Sequence, residues 1–418
     1  MSGLAQVTSP PYDVIGRESA QHLRDADPHN VVRLILPRQE PGQPGGEYQE
    51  AARLLAAWQA EGILVTEDRP ALYVYVQRVP QAGADGALVQ RGLIGAVRLT
   101  QPEQRIVLPH EDVMPGPVLG RRRLMEATQA NLEPIFLLYD GGPGAVATRL
   151  TDEAAAGGPP LLQTRTSDGI EHTLWALTDP GALAAITADL APRQALIADG
   201  NHRYAAYLGM QADRRAAGDG PGPWDYGLAL LVDAIAYPPE IGAIHRVIPG
   251  LPAAEAVERA KAAFTVRPVP GGPGALPAAL DLLAAAGRDG AAFLVAGQGQ
   301  VYLLSDPDPV QAEAAMPSGR SAAWRGLSTA VLQELLIRTL WGIRDDEQTV
   351  QVVHHDAAQA VRRAAEPPAG TAVLVNPLTA ADVYTVAAEG ERLPRKSTSF
   401  APKPRTGLIM RSLAATPG

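Results

Sequence analysis

Cysteine is absent from the 418-residue chain, which excludes disulfide bonds, thiol catalysis and cysteine-ligated metals. The sequence also lacks any run of about 18 consecutive apolar residues, the length that a membrane-spanning helix needs. Its first segment, "MSGLAQVTSPPYDVIG", has neither the basic start nor the apolar core of a signal peptide. These absences predict a cytoplasmic protein with no membrane partner.

Positive charge is scarce, because 36 lysines and arginines face 45 aspartates and glutamates and the formal net charge is −9. This balance opposes the positive field that nucleic-acid binding normally requires. We therefore do not expect a nucleic-acid partner.

Lysine is rarer still, since the chain contains only Lys261, Lys396 and Lys403. Two of the three lie within "PRKSTSFAPKPRTG". Lysine carries a compact point charge on its ammonium group, which the planar guanidinium of arginine does not reproduce. We predict that Lys396 and Lys403 bind an anionic cofactor, and that the loop 394–406 closes over it as a lid. An ordinary basic surface loop is the alternative.

Conventional nucleotide and hydrolase signatures are missing as well. No glycine precedes a lysine, so the chain has no phosphate loop of the GxxxxGK[ST] type. It has no GxSxG nucleophile elbow either. Any nucleotide site must therefore be built in another way.

The length exceeds that of one ordinary domain, and strand-like runs alternate with helical patterns. This alternation predicts an α+β fold with mixed sheets and helices. The Gly/Pro-rich stretch "PVPGGPGALP" at 268–277 is the predicted boundary between an N-terminal α+β domain, 1–267, which carries the site, and a C-terminal α+β domain, 268–418. Predicted strands include 31–37, 195–198 and 407–413, and predicted helices include 120–130 and 202–216.

A dense polar segment, "ADGNHRYAAY" at 198–207, follows one of these strands and opens a helix. The first backbone N–H groups of a helix and its positive dipole end favour an anion. Arg203, predicted to be exposed on the first turn, offers a fork of donors for phosphate, and His202 can donate a hydrogen bond or carry a proton. Asp199 is predicted to act as a base or as a magnesium ligand.

The same corner has a simpler explanation. Asp199 or Asn201 can merely cap the helix while Arg203 remains solvated. Gly200 permits the tight turn in either case.

A second polar cluster lies at 107–140. His110 and Glu111 end a predicted strand, and three arginines beginning with Arg121 are predicted to begin a helix. Their positive charge opposes the helix dipole at that end, so a bound anion is the better explanation for their presence. Adjacent strand residues point to opposite faces, so we expect at most one of His110 and Glu111 in a given site. We predict that the two polar clusters line the same cleft.

Other polar residues give weaker signals. Tyr12 and Asp13 follow two prolines, an arrangement that is typical of a rigid turn. His245 lies on an apolar strand, where a structural role is expected. A metal-dependent hydrolase or phosphatase that uses His110, Glu111 and His245 requires folding to bring the three residues together.

Several segments resemble, in order and nearly end to end, the domain-of-unknown-function family numbered one thousand and fifteen. They are "SPPYDVI", "DPHNVVRLILP", "VLPHEDVMPGP", "QANLEPIFLLYD", "IADGNHRYAAYL", "IHRVIPGL", "VLVNPLTAADV" and "GERLPRKSTSFAPKPRTGLIMRSL". The chain departs from the family pattern at Asn201, where the family usually has a first histidine.

The DG-x-HR corner is also similar to that of free serine kinases of the ParB/sulfiredoxin superfamily. The resemblance implies a ParB/sulfiredoxin-like core and a site for ATP or ADP with Mg²⁺, in which Asp199, His202 and Arg203 handle phosphate and metal. It also implies an upstream glutamate as base, for which Glu111 is the candidate.

We therefore predict a nucleotide-dependent phosphotransferase for a small hydroxyl-bearing metabolite, with free serine the preferred acceptor. Its catalytic residues are Asp199, His202 and Glu111, and Asp199 is the metal ligand. The nucleotide-binding residues are Gly200, Asn201, Arg203, His110, Arg121, Lys396 and Lys403. A ParB-like nucleotide-binding regulator is the alternative from another class, although the basic surface and helix-turn-helix that it requires are not evident.

Overall fold

The computed structural model describes residues 3–39, 46–81, 87–346 and 348–414, and it is a mixed α+β structure with several sheets. None of the helices in these ranges combines the length and the apolar character needed to cross a bilayer.

The helices and strands follow one another along the whole chain. The strands are β1 (Leu72–Pro80), β2 (Ala87–Arg98), β3 (Val107–Leu108), β4 (Ala130–Asn131), β5 (Ile135–Tyr139), β6 (Leu162–Arg165), β7 (Glu171–Leu177), β8 (Ala195–Asp199), β9 (Tyr226–Asp233), β10 (Glu240–Gly242), β11 (Ile244–Ile248), β12 (Thr265–Pro268), β13 (Phe293–Gly297), β14 (Gln300–Ser305), β15 (Gln351–His354), β16 (Thr371–Val375), β17 (Ser399–Ala401) and β18 (Arg411–Ser412). The α-helices are α1 (Leu4–Val7), α2 (Arg17–Ala26), α3 (Val32–Ile35), α4 (Glu47–Ala60), α5 (Pro115–Thr128), α6 (Val146–Ala156), α7 (Pro180–Leu190), α8 (Asn201–Ala216), α9 (Ala253–Ala260), α10 (Leu276–Ala286), α11 (Pro309–Ala315), α12 (Ala322–Arg325), α13 (Ser328–Ala330), α14 (Ala357–Ala365) and α15 (Ala380–Ala388). A π-helix, Val331–Leu340, continues α13.

Contacts divide the chain into two compact units. The first comprises 1–109, 113–239 and 402–418, and the second comprises 110–112 and 240–401. The division therefore falls elsewhere than the boundary expected at 268–277. The physical reason is strand pairing, since β11 pairs with β15 and β16 in the second unit's sheet, well before residue 268.

The first unit is built on a sheet with the order β3-β8-β5-β9-β2-β1-β7-β6. β5 pairs in parallel with β9, and β3 pairs in parallel with β8, whereas the other neighbours are antiparallel. Every residue of β5 and β8 is buried, as expected for central strands that are covered on both faces. Tyr204, Tyr207 and Met210 of α8 pack into this core at helical spacing.

The second unit contains an antiparallel sheet with the order β12-β14-β13-β16-β11-β15 and a separate pair, β10-β17. Its central strands β13, β16 and β11 are wholly buried. Two apolar clusters include residues from these strands, and the π-helix contributes to one of them. The strands β13 and β14 pair with each other as an antiparallel hairpin.

Two sequence expectations fail locally. The run at 31–37 was expected to be a strand, but it contains the helix α3. Asn30 explains the difference, because its Oδ1 accepts a hydrogen bond from the Val32 backbone N–H at 2.9 Å and so favours a turn over an extended chain. The strand expected at 407–413 is reduced to Arg411–Ser412.

Candidate functional site

The segment 198–207 lies at a strand-to-helix corner, as predicted. β8 ends at Asp199, and α8 begins at Asn201. Between them Gly200 has a φ of 97°, and a Cβ at this position would lie 2.9 Å from a side-chain atom of Ile135. Glycine is therefore required here by both backbone conformation and space.

Asn201 is buried at the first position of α8, with 4% of its surface exposed. Among the described residues, neither its Nδ2 nor its Oδ1 atom has a hydrogen-bond partner. A buried polar group without a partner costs free energy, so it requires an explanation. The helix start consequently has unused hydrogen-bonding capacity beside its own N–H groups.

Arg203 is not exposed, contrary to the prediction. Only 3% of its surface is accessible, and its guanidinium donates to the Asp199 carboxylate and, at 2.5 Å, to the carbonyl oxygen of Pro134. Burial alone would lower the pKa of Arg203, but the charges of Asp199 and Glu133 outweigh this effect and raise the pKa above its ordinary value. The role that the contacts show for Arg203 is to hold Asp199.

Lys403 lies between two carboxylates of the first unit. Its Nζ is 2.8 Å from Asp13 Oδ2 and 2.5 Å from Asp199 Oδ1. The exposed side-chain fractions are 36% for Asp13, 19% for Lys403 and 9% for Asp199. The three residues, hereafter the Asp13–Lys403–Asp199 cluster, therefore extend from the interior to the surface.

Opposite charges hold Asp13 and Lys403 in their ionised forms. Burial would lower the pKa of Lys403, but Asp199 and Asp13 raise it above its usual value. Burial would likewise raise the pKa of Asp13, yet the charges of Lys403 and Arg203 lower it to about 2. At neutral pH Asp13 is thus ionised and Lys403 carries its proton.

Tyr12 and Glu133 connect this cluster to the surrounding structure. Glu133 Oε1 accepts the backbone N–H of Tyr12 at 3.0 Å, and the guanidinium of Arg121 lies 4.1 Å from the centre of the Tyr12 ring. Burial raises the pKa of Tyr12 to about 12. The turn at Tyr12 and Asp13, interpreted from sequence as merely rigid, is part of the charged site.

The arginines at 121–123 do not open a helix, contrary to the prediction. α5 begins at Pro115, a residue that suits the first helical position because no N–H is needed there. Arg121 therefore lies well inside the helix, where its Nη1 donates to the Ile35 carbonyl oxygen at 2.6 Å and lies 3.6 Å from Glu133 Oε2. Its position gives no dipole-based reason to expect an anion.

His202 connects the segment 199–203 to the residue that precedes α5. Its Nε2 accepts the backbone N–H of Met114 at 3.0 Å. The part of the second polar cluster that belongs to the first unit thus meets the segment 199–203. The prediction that Glu111 shares this site remains a prediction.

The remaining predicted site residues belong to the second unit. His110 is buried, with its Nε2 2.9 Å from Thr398 Oγ1, and its ring packs against Phe400. Glu111 is partly exposed. Lys396 has a φ of 54°, and its carbonyl oxygen accepts a hydrogen bond from Arg246 at 3.0 Å.

The metal-hydrolase alternative is not supported by the structure. Within the described ranges, no group of three or more His, Asp or Glu side chains could hold a metal ion. His110 contacts Thr398, and His245 Nδ1 accepts the backbone N–H of Val375 at 3.3 Å. His110, Glu111 and His245 therefore do not form a metal site.

The expected lid divides between the two units. Its part at 402–406 belongs to the first unit, where Gln77 and Gln90 donate to the carbonyl oxygens of Lys403 and Pro402 at 3.0 and 2.9 Å. Those hydrogen bonds hold 402–406 against the sheet, so this part is a fixed segment rather than an exposed loop.

A surface pocket of about 400 Å³ lies elsewhere in the first unit. None of the residues of the Asp13–Lys403–Asp199 cluster lines it. Its lining residues are Arg98, Leu99, Thr100, Gln101, Gln104, Ile106, Gln211 and Arg215.

Comparison with known proteins identifies a family. The family described as "Protein of unknown function (DUF1015)" matches residues 1–330. No curated protein matches the chain.

Several solved structures are similar at low identity. A free serine kinase in complex with AMP is 14% identical, with a TM-score of 0.36 over 77% of this chain and 92% of that chain. A mutant free serine kinase in complex with ADP gives the same identity, TM-score and coverage. SbnI with a C-terminal truncation, from Staphylococcus aureus, is 9% identical, with a TM-score of 0.34 over 74% of this chain and 84% of that chain.

Proposed function

The chain belongs to the DUF1015 family, and we propose that this member is a nucleotide-dependent phosphotransferase that acts on a small hydroxyl-bearing metabolite. One observation carries the proposal. Lys403 is held between Asp13 and Asp199 at the N-terminus of a 16-residue helix, in a cluster that reaches the surface.

The phosphates of the nucleotide would bind at the start of α8. The positive end of the helix dipole favours an anion there, and Lys403 supplies a compact positive charge. The amide of Asn201, which has no hydrogen-bond partner in the described part of the chain, supplies a further donor. Arg203 acts indirectly, because it fixes the Asp199 carboxylate.

The acidic residues fit Mg²⁺, which proteins usually bind through one or two carboxylates together with substrate phosphates. Asp199 is the metal ligand in this proposal, and Asp13 is kept for proton transfer. When bound, Mg²⁺ would neutralise phosphate charge.

Phosphoryl transfer needs a proton acceptor for the attacking hydroxyl. The acceptor oxygen forms a bond to phosphorus, the bond to the departing phosphate oxygen breaks, and the hydroxyl proton passes to a carboxylate. Asp13 is the partly exposed carboxylate of the same unit and, with a pKa of about 2, is ionised at neutral pH. Glu111 is retained as the alternative acceptor, and His202 stabilises the developing charge.

The resemblance of the segment 199–203 to free serine kinases supports free serine as the acceptor and a ParB/sulfiredoxin-like core. ATP or ADP would be the donor. A small metabolite also requires no basic surface, which agrees with the net charge of −9.

A transfer assay tests the proposal. Wild-type protein incubated with radiolabelled ATP or ADP, Mg²⁺ and free serine should form labelled phosphoserine. Asp13→Asn should lower the rate by about 100-fold or more, in the range that general-base catalysis contributes. Asp25→Asn removes an exposed carboxylate of α2 and should leave the rate unchanged.

Absence of transfer to serine and to other small alcohols by wild-type protein would overturn the proposal. An Asp13→Asn rate equal to that of wild type would exclude Asp13 and direct attention to Glu111.

A further inference from the structure

The fixed segment 402–406, hereafter the strap, is held by buried polar side chains. Gln90 Nε2 donates to the Pro402 carbonyl oxygen at 2.9 Å, and Gln77 Nε2 donates to the Lys403 carbonyl oxygen at 3.0 Å. Tyr75 Oη accepts the backbone N–H of Arg405 at 3.2 Å. These three residues are at most 2% exposed, so their ends of the hydrogen bonds are shielded from water.

The register of the sheet places these groups side by side. Gln77 on β1 lies opposite Gln90 on β2 and opposite His172 on β7. Tyr75 is two residues before Gln77 and therefore faces the same side of the sheet. Gln90 Nε2 also donates to Gln77 Oε1 at 2.9 Å, so the two amides fix each other's orientation.

The hydrogen bonds continue in one direction through His172. Because Tyr75 Oη accepts from Arg405, its own proton is available for His172 Nδ1, 2.7 Å away. His172 Nε2 then carries the ring proton and faces Thr166 Oγ1 at 3.2 Å. Burial, assisted by the charge of Arg405, lowers the pKa of His172 to about 4, so the ring is neutral at neutral pH.

The strap also fixes the segment that carries Asp13. Thr406 N–H donates to the Ser9 carbonyl oxygen at 2.9 Å, and Ser9 N–H donates back to the Thr406 carbonyl oxygen at 3.1 Å. Asp13 follows Ser9 by only four residues. The strap therefore connects both Lys403 and Asp13 to the same sheet.

We propose that Tyr75, Gln77 and Gln90 are positioning residues that fix the backbone of Lys403 so that its ammonium group lies between Asp13 and Asp199. A lysine side chain loses much rotamer freedom when it is held in one place. Fixing its backbone beforehand reduces the further ordering that a charged site requires. The catalytic significance of this arrangement rests on the proposed function, but the positioning itself does not.

Nuclear magnetic resonance of lysine-labelled protein tests the positioning directly. With ¹³C-labelled lysine the spectrum should contain signals from three residues, Lys261, Lys396 and Lys403, which single Lys→Arg variants assign. In wild-type protein the Lys403 side chain should be immobilised, with an order parameter clearly above that of the exposed Lys261. In Gln77→Ala the Lys403 order parameter should fall at least halfway to that of Lys261.

Two further variants complete the experiment. Gln163→Ala removes an exposed glutamine of β6 on the same sheet and should leave the Lys403 order parameter unchanged. Tyr75→Phe removes only the hydroxyl that contacts the strap and should lower the Lys403 order parameter as Gln77→Ala does, which decides the question even if Gln77→Ala does not fold.

An unchanged Lys403 order parameter in the folded variants, or an equal decrease in Gln163→Ala, would overturn the positioning role. Because the measurement requires no nucleotide, this result is independent of the transfer assay. A protein that positions Lys403 as described but transfers no phosphoryl group would contradict the proposed function alone.

Discussion

The dipeptide His-Arg occurs in each of the two units, with very different surroundings. His202 and Arg203 begin α8 in the first unit, whereas His245 and Arg246 lie on β11 in the second. Both arginines are buried, with 3% of their surface exposed. The sequence pattern and the degree of burial are thus the same at the two places.

The partners of the two arginines differ. Arg203 contacts the carboxylate of Asp199, and carboxylates raise its pKa. Within the described ranges Arg246 has no carboxylate contact and donates to the backbone carbonyls of Ile244, Arg395 and Lys396. Burial lowers its pKa to about 10, although the charge of Asp345 opposes the change. A His-Arg pair therefore indicates a charged site only where folding adds carboxylates.

Replacing each arginine by methionine should give the largest contrast. Arg203→Met removes a positive charge that balances the buried carboxylates of Asp199 and Glu133. It should therefore lower the free energy of unfolding by about 3–5 kcal/mol. Arg246→Met leaves carbonyl groups rather than charges unpaired and should cost about 1–2 kcal/mol. Urea-induced unfolding of both variants measures the difference. Equal losses, or a larger loss for Arg246→Met, would refute the comparison.

For the pair His245–Arg246 we also expect the stability of the fold to depend on pH. Burial, together with the charges of Arg246 and His355, lowers the pKa of His245 from 6.5 to about 4. The unfolded chain therefore binds this proton more readily, so the stabilisation is complete above about pH 6.5 and is lost as the pH falls towards 4. The loss attributable to His245 should be on the order of 2–3 kcal/mol.

His245→Asn keeps an acceptor for the Val375 N–H but removes the titrating group. Unfolding measured from pH 4 to 7 should therefore depend less on pH in this variant than in wild type. Parallel profiles for the two proteins would show that His245 does not titrate as described.

The residue that precedes the His-Arg pair is Asn201 in the first unit and Ile244 in the second. Asn201→Ala should weaken nucleotide binding by about tenfold, because it removes one hydrogen-bonding group worth roughly 1–1.5 kcal/mol. Its melting temperature should stay close to that of wild type, since the amide has no partner in the described structure.

Asn30 provides the matched control, because its amide is buried and hydrogen-bonded to Gln6, Thr8 and Val32. Asn30→Ala should lower the melting temperature and leave the nucleotide affinity of the folded protein unchanged. A lower melting temperature for Asn201→Ala with unchanged affinity would assign Asn201 to the fold alone.

Arg122 should give the smallest effect. It forms exposed ion pairs with Glu126 and Asp213, and such pairs contribute less than about 1 kcal/mol. Arg122→Ala should therefore change neither the unfolding midpoint nor the nucleotide affinity appreciably. A marked loss of affinity would show that the arginines at 121–123 contact the ligand after all.

The elements of this fold were predictable where periodicity is strong and local. The strand at 195–198, the turn at Gly200 and the helix at 202–216 follow from side-chain patterns within about 20 residues, and all three are present. The start of α5 was missed because Pro115 begins the helix before its apolar pattern is recognisable. The strand predicted at 31–37 failed because Asn30 offers the backbone a local alternative.

The site was harder to predict from the sequence because the residues that form it are far apart in the chain. Lys403 and Asp13 are 390 positions apart, and a pattern within one segment cannot reveal such a pair. The scarcity of lysine did single out Lys403, and the polar corner singled out Asp199. The burial of Arg203 could not be predicted, because it depends on Glu133 and Pro134 approaching from another strand region.

Calorimetric titration of Mg²⁺–ATP and Mg²⁺–ADP into wild type, Lys403→Met and the control Lys261→Met is the most direct test of the account. Lys261 is an exposed lysine paired with Glu258 in the second unit. Its replacement therefore changes the net charge as Lys403→Met does but leaves the Asp13–Lys403–Asp199 cluster intact. We predict measurable binding by wild type and Lys261→Met, and binding at least about tenfold weaker by Lys403→Met, because a charge-assisted contact is worth roughly 1.5–3 kcal/mol. No binding by wild type, or equal affinities in all three proteins, would contradict a nucleotide site at the Asp13–Lys403–Asp199 cluster.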